Sequence, residues 1–336
     1  PVIASSDLWT PVQPLAEHPR TSVNVVEQLR RNHYIRKPID DALSSAMFDK
    51  YLSMLDGNRS YFLESDIKSF EQFRYMLDDA LKGSDLDPAF YIFNRYQQRL
   101  LERLNYSLLL LEQGIDRFDF GVEESLLIDR EAAQWPIDSQ HQDDLWRRRV
   151  KAQILSLRLN DKEPSEISEI LTKRLRNQIK MANRNKSEDA FQLYMNAFAS
   201  TFDPHTQYFS PRTSENFNIN MSLSLEGIGA VLRSEDDATS IVRLVPAGPA
   251  AKSKAIKPTD KITAVGQGID GPMIDIVGWR LDDVVELIRG PRGSTVQLDV
   301  ISANSEDKTS RRVTIVRNTI KLEEQAAQAK IIEVSQ

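Results

Sequence analysis

The chain has 336 residues, 40% hydrophobic and 27% charged, with a net charge of −6, no cysteine and four histidines. Its length exceeds one ordinary core and predicts two domains, while the negative balance excludes a general nucleic-acid footprint. The lack of cysteine excludes disulfides, thiolate metal ligands and a cysteine nucleophile, and no run approaches the roughly 20 apolar residues that span a bilayer. The opening Pro1-Val2-Ile3-Ala4-Ser5-Ser6 lacks the basic and apolar regions of a signal peptide, so an exported protein would be in its mature or trimmed form here.

The first two thirds carry helical periodicity. Leu43, Met47, Tyr51 and Leu55 recur every four residues and predict one helix face. After the break at Lys82-Gly83-Ser84-Asp85, Asp87-Pro88 reads as the N-cap and first residue of a long helix whose stripe is Phe90, Phe93, Leu100, Leu104, Leu108 and Leu111. Trp135-Pro136 interrupts before a helix bearing Leu145, Trp146, Val150 and Ile154. Pro164 precedes Ile167, Leu171, Leu175 and Ile179, and Ser187 is the expected N-cap for Phe191, Tyr194, Met195, Phe198 and Phe202. These stripes predict helix-bundle core and no cofactor site. No repeat of fixed length is visible, which argues against a solenoid.

The pattern changes near residue 211, where Gly, Pro and β-branched residues take over. Strands are predicted at Gly229–Arg233, Ser240–Val245, Lys261–Val265, Thr295–Ile301 and Arg312–Val316. A helix is expected from Trp279 through Arg289, with Asp282 and Asp283 in its first turn and Gly290 just past its end. About 100 residues of this kind read as a small β-barrel-like module.

The segment Gly227-Ile228-Gly229-Ala230 opens directly into a strand, so a dinucleotide loop, which runs into a helix and needs a third glycine, is a poor fit. The N–H groups of Ile228, Gly229 and Ala230 could instead converge on a carboxylate, with the strand edge pairing to an extended peptide. Leu281, Val285 and Ile288 share one helix face and, with Ile228 and Ala230, would form an apolar pocket for a terminal side chain. Val284 and Leu287 would face the module's own core. Spacing alone fits equally well with all of these residues being core.

Other chemistry is weaker. His18, His33, His141 and His205 lack zinc-binding spacing, and His205 reads as a turn or interdomain hydrogen-bonding residue. Glu235-Asp236-Asp237 reads as a solvated turn, without the alternating ligands of a calcium loop. Arg147-Arg148-Arg149 lies beside Trp146 and Val150, which predicts a helix with a basic outer face. No metal or other cofactor is implied.

Several motifs in order carry a family resemblance. Glu226-Gly227-Ile228-Gly229-Ala230, Pro249-Ala250, Asp260-Lys261-Ile262 and Ile288-Arg289-Gly290-Pro291-Arg292-Gly293 resemble the PDZ domain of the carboxy-terminal processing peptidases. Asp203-Pro204-His205-Thr206-Gln207-Tyr208-Phe209-Ser210-Pro211 is similar to the segment before that domain, and Ile320-Lys321-Leu322-Glu323-Glu324-Gln325-Ala326 to the exit behind it. The helical half, with Trp135-Pro136, resembles the long proteobacterial branch, the tail-specific proteases. Ala255-Ile256 and Thr259-Asp260 stand where many members carry Gly-Leu and Gly-Asp, a variation expected to leave the pocket intact.

The resemblance implies a mixed α and β, multidomain chain. An all-α domain is expected at 1–210, a PDZ-like β-barrel module with one peptide-groove helix at 211–319, and at 320–336 the start of a linker or strand into a protease core. It further implies the recognition half of a periplasmic serine endopeptidase that takes apolar protein C-termini. The family's nucleophilic Ser and general-base Lys lie in the core that follows the PDZ domain, so this chain is expected not to cut peptide bonds itself. A lysine base also needs burial, and Lys252 and Lys254 sit in a polar loop beside Ser253. Two alternatives are a stand-alone peptide-binding scaffold and a helical half that docks a helical-repeat lipoprotein adaptor or builds an oligomer.

Overall fold

The computed structural model describes residues 9–235, 238–302 and 309–321. The chain divides into two compact units, Pro1–Ser210 and Pro211–Gln336.

The first unit is helical: α1 (His18–Asn32), α2 (Asp41–Asp56), α3 (Glu64–Phe70), α4 (Leu77–Lys82), α5 (Asp87–Glu112), α6 (Ser139–Arg158), α7 (Pro164–Ala182) and α8 (Ser187–Ala199). Side-chain caps start two of them, with Asp40 accepting from the Leu43 N–H at 3.1 Å and Asp138 from the His141 N–H at 2.9 Å. The long α5 joins two apolar cores. Its N-terminal half packs Phe90 and Phe93 with Met47, Phe48 and Tyr51 of α2 and Phe191, Tyr194 and Phe198 of α8. Its C-terminal half packs Leu104 and Leu111 with Val150 and Ile154 of α6 and Ile167, Leu171 and Leu175 of α7. The stripes are therefore core, as their spacing predicts, except at Leu145, which is half-buried and outside both clusters. Asp87 is the first residue of α5 and Leu86 its cap, a shift of one position from the sequence expectation.

The second unit opens with a helix, α9 (Pro211–Ser222), ahead of the first expected strand and where no element was predicted. Proline pre-sets its first turn, and α9 has no buried residue, so it leaves no apolar stripe to read. The remaining elements are β1 (Ser224–Gly227), β2 (Ala230–Glu235), β3 (Ala238–Leu244), α10 (Pro249–Ser253), β4 (Lys261–Gln267), β5 (Met273–Asp275), α11 (Leu281–Ile288), β6 (Thr295–Ile301), β7 (Ser310–Val316) and β8 (Asn318–Lys321). An antiparallel sheet runs β2-β3-β4-β6-β7, with β5 added to β4, while β1 and β8 form a separate ribbon. Inward residues such as Val296, Leu298 and Val300 of β6 alternate with outward ones and enclose a core with Ile241, Ile262, Val265 and Val284. The expected strands are all present, within a few residues. Within the stretch expected to lead away from the module, residues 320 and 321 belong to β8 and the rest lie outside the described residues.

Candidate functional site

The order of the sheet leaves β2 at its edge, paired only with β3 among the described residues. A bulge between Val231 and Leu232 interrupts that pairing just after Ala230, which opens β2 opposite Leu244. The chain reaches β2 from the β1–β8 ribbon through Ile228 and Gly229. Gly229 holds φ +77°, and a Cβ there would lie 3.4 Å from the Gly248 Cα and 3.5 Å from the Ile320 side chain. The left-handed dihedral is what calls for glycine, since a Cβ would meet its neighbours at ordinary contact distances. Gly227 is freer, since its φ is not left-handed and its nearest contact, the Leu225 Cδ1 at 3.4 Å, is a side chain at ordinary distance.

The polar groups of this loop are sorted by direction. The Ile228 carbonyl accepts from the Ala250 N–H at 2.8 Å, and the Gly229 carbonyl accepts from the Val245 N–H at 2.8 Å. The N–H groups of Ile228 and Gly229 donate to no group among the described residues. Successive donors left open beside an edge strand suit a carboxylate.

Helix α11 shows two kinds of apolar residue. Val284 is fully buried, and Ile288 is 4% exposed and joins it in the core with Ile228. Leu281 and Val285 are half-buried and stand outside that cluster, while Ala230 and Leu287 pack partly buried against it. The residues expected to form one pocket are thus split: Ile228 and Ile288 lie inside the core, Ala230 is at its edge, and Leu281 and Val285 are the accessible part of the helix.

Asp282 and Asp283 in the first turn of α11 complement its dipole, and Asp283 with Glu286 ties the helix to α9. Arg212 Nη2 donates to Asp283 Oδ1 at 2.8 Å and Glu286 Oε2 at 3.2 Å. At the other end Arg289 Nη1 donates to Asn216 Oδ1 at 2.9 Å. A cleft of about 710 Å³ lies between α9, β1 and the turn that follows α11, lined by Asn218, Ile219, Leu225, Glu226 and Arg289 among others.

The C-terminal end of α11 is closed by a residue that sequence reading missed. Arg317, 3% exposed, donates from Nε to the Ile288 carbonyl at 2.8 Å and from Nη2 to the Leu287 carbonyl at 3.0 Å. It also reaches Gln267 Oε1 at 2.7 Å and Ser294 Oγ at 2.9 Å. The guanidinium thus satisfies the last helix carbonyls, a task the sequence assigned to Gly290, and Arg289 at the cap is extended. Burial pushes the Arg317 guanidinium down from its ordinary value. A Cβ on Gly290 would come within 3.0 Å of that group, which explains the glycine.

Other sequence candidates separate from this site. Lys252 and Lys254 are exposed, and Ser253 Oγ donates to the Ala250 carbonyl at 2.8 Å. His205 is exposed and its N–H donates to Asp203 Oδ1 at 2.7 Å, a turn role. His18 is buried, stacked on Phe191 with ring centroids 4.1 Å apart, and its Nε2 lies 2.9 Å from Glu188. His33 Nε2 lies 2.7 Å from Asp203, whereas the exposed His141 stays beside Asp138. No group of three or more potential metal ligands gathers among the described residues. Glu235 accepts from Ser240 Oγ at 2.9 Å, and Asp236 and Asp237 lie outside the described residues.

An edge strand, a glycine loop and a facing helix define a PDZ domain, and residues 216–301 match the PDZ family model. Residues 25–212, over half of the chain, match the model described as the tail specific protease N-terminal domain. The chain belongs to the tail-specific protease family. It is 41% identical over 337 residues to the tail-specific protease of Haemophilus influenzae, covering 100% of this chain and 47% of that protein. It is 32% identical over 120 residues to the carboxy-terminal processing protease CtpA of Bacillus subtilis, covering 35% of this chain and 24% of that one. Among solved structures, the PDZ domain of a carboxy-terminal protease from Vibrio cholerae in complex with peptide is 55% identical, covering 30% of this chain and 100% of that one at a TM-score of 0.29. The chain spans about half the length of the Haemophilus relative, or less of the Bacillus one. No described helix is long and apolar enough to cross a membrane.

Proposed function

We propose that this chain supplies substrate recognition to a periplasmic tail-specific serine endopeptidase, by gripping apolar C-terminal segments of proteins in the PDZ groove. In this reading a terminal carboxylate sits on the N–H groups of Ile228 and Gly229, with Gly227 and Ala230 shaping the loop. The peptide extends along β2 as an added strand. Val285 and Leu281 contact its side chains, over a floor of Ile228 and Ile288. Hydrolysis falls to the serine and lysine of the family's core, and the residues here choose what reaches them. The placement in the periplasm is supported by the likeness to the long proteobacterial branch.

The observation that carries the reading is the pair of open N–H donors beside the open edge of β2. Hydrogen bonds to a charged group contribute about 1.5–3 kcal/mol each, so a peptide ending in free Ala-Ala should bind at least about tenfold more tightly than its C-terminal amide. Fluorescence anisotropy with the two labelled peptides measures this directly. Equal affinities would reject the carboxylate grip.

A further inference from the structure

Arg59, Arg130 and Arg149 meet in the helical unit around Ser60 and Trp135. Arg59 Nη1 donates to the Ala133 carbonyl at 2.7 Å, and its guanidinium lies 4.5 Å from the centre of the Trp135 ring. Arg130 Nη2 donates to the carbonyls of Gln134 at 3.2 Å and Arg59 at 3.4 Å. Arg149 Nη1 donates to Ser60 Oγ at 3.0 Å, with its guanidinium 4.8 Å from the centre of the Trp146 ring. All three are half-buried, and none has a carboxylate within 4.0 Å among the described residues.

Nearby acids are already engaged. Asp144 pairs with Arg147 and Arg148, and Glu124 with Arg147 and Lys151. The buried Asp56 accepts from the N–H groups of Ser60, Tyr61 and Phe62 and from Trp135 Nε1. Burial, and then the charge of Arg149, lower the Arg130 guanidinium from its ordinary value, against a smaller opposing effect of the Asp56 charge. The Nε atoms of Arg130 and Arg148 are buried without an acceptor among the described residues. Both residues line a cleft of about 620 Å³ that is also walled by Trp135, Pro136, Leu127 and Ile137. Leu127 is 59% and Ile137 60% exposed.

Like charges held together are costly until an anion joins them, and guanidinium forks match carboxylates in two-point geometry. The flanking acids Asp144 and Glu124 disfavour a continuous polyanion such as a nucleic acid, while the apolar rim suits side chains. We infer that this cleft, with the charge of Arg149 beside it, binds an acidic segment of a partner polypeptide, placing a carboxylate against Arg130 and apolar side chains on Leu127 and Ile137.

The test titrates the whole chain with a labelled, C-terminally amidated peptide alternating Glu with Leu, against the same peptide with Gln for Glu. Amidation keeps the probe from relying on the PDZ groove, and Val285→Ala should leave its affinity unchanged. The Glu peptide should bind at least about tenfold more tightly than the Gln peptide and weaken with added salt. Arg130→Gln and Arg149→Gln should each remove most of that preference. Should either variant melt early, Arg130→Lys and Arg149→Lys keep the charge, remove the fork and should bind at intermediate strength. Equal binding of the two peptides, no binding of either, or unchanged affinity in the arginine variants would overturn the assignment. So would tighter binding of a labelled single-stranded oligonucleotide than of the Glu peptide.

Discussion

Asp203 accepts from the Thr206 hydroxyl and the His205 N–H, and it faces His33 Nε2 at 2.7 Å, fastening the segment after α8 to the end of α1. The Thr206 hydroxyl, then the His205 N–H, and more weakly His33, hold the Asp203 carboxyl well below the ordinary carboxylate range, at about 2. A carboxyl lowered on folding stabilises the native state above its unfolded value near 3.9 and loses that contribution as pH falls towards 2. Asp203→Asn keeps an acceptor for Thr206 and His205 but removes the charge. The variant should therefore be less stable than the parent above about pH 5, with the gap closing between there and pH 2. Urea midpoints measured across that range check it, and a gap independent of pH would show that the charge contributes nothing. Asp203 was legible as part of a motif, but its partner His33 was not, because the pairing spans 170 positions. Arg317 was illegible for a related reason. An arginine after a strand reads as solvated charge, and it becomes a helix cap only because the turn from Arg289 to Ser294 wraps around it.

At the scale of elements, α11 carries both a stability face and a binding face. Spacing placed Val284 inward and Val285 outward, and the structure buries Val284 completely while leaving Val285 half-buried. Val284→Ala should cost about 2 kcal/mol of stability through the lost methyl groups and the cavity behind them. Val285→Ala should change stability by about 0.5 kcal/mol or less and weaken a free Ala-Ala peptide roughly tenfold, from about 1.5 kcal/mol of lost apolar contact. Thermal melts and anisotropy titrations on both variants separate the two effects, and a Val285 variant that binds normally would remove the helix from the groove. Helices with apolar stripes and strands with alternation were readable because burial imposes their periods. Helix α9 lacks a buried residue and hangs on Arg212 and Arg289, so no period marks it. β1 and β8 are four residues each and pair Ser224 with Lys321, a long-range match that local pattern does not encode.

For the whole molecule, the distribution of the cores decides what each half can do alone. The apolar cluster beneath the groove runs from Ile228 to Ile315, and the loop, edge strand and helix of the groove all follow Pro211. The helical unit has its own two clusters, built from residues between Val26 and Phe202. Each unit therefore holds the burial it needs to fold, and peptide affinity should be a property of the second unit by itself. A fragment covering 211–336 should fold cooperatively and bind the free Ala-Ala peptide within about threefold of the whole chain, a difference of about 0.7 kcal/mol. The acidic Glu-Leu probe should bind the whole chain and fail to bind the fragment, because Arg59, Arg130 and Arg149 all lie in the first unit. Titrating both proteins with both peptides gives four affinities that must split this way. A fragment that folds but binds the free acid more than about tenfold worse would mean that residues before Pro211 contribute to the groove, and recognition would then belong to the two units jointly.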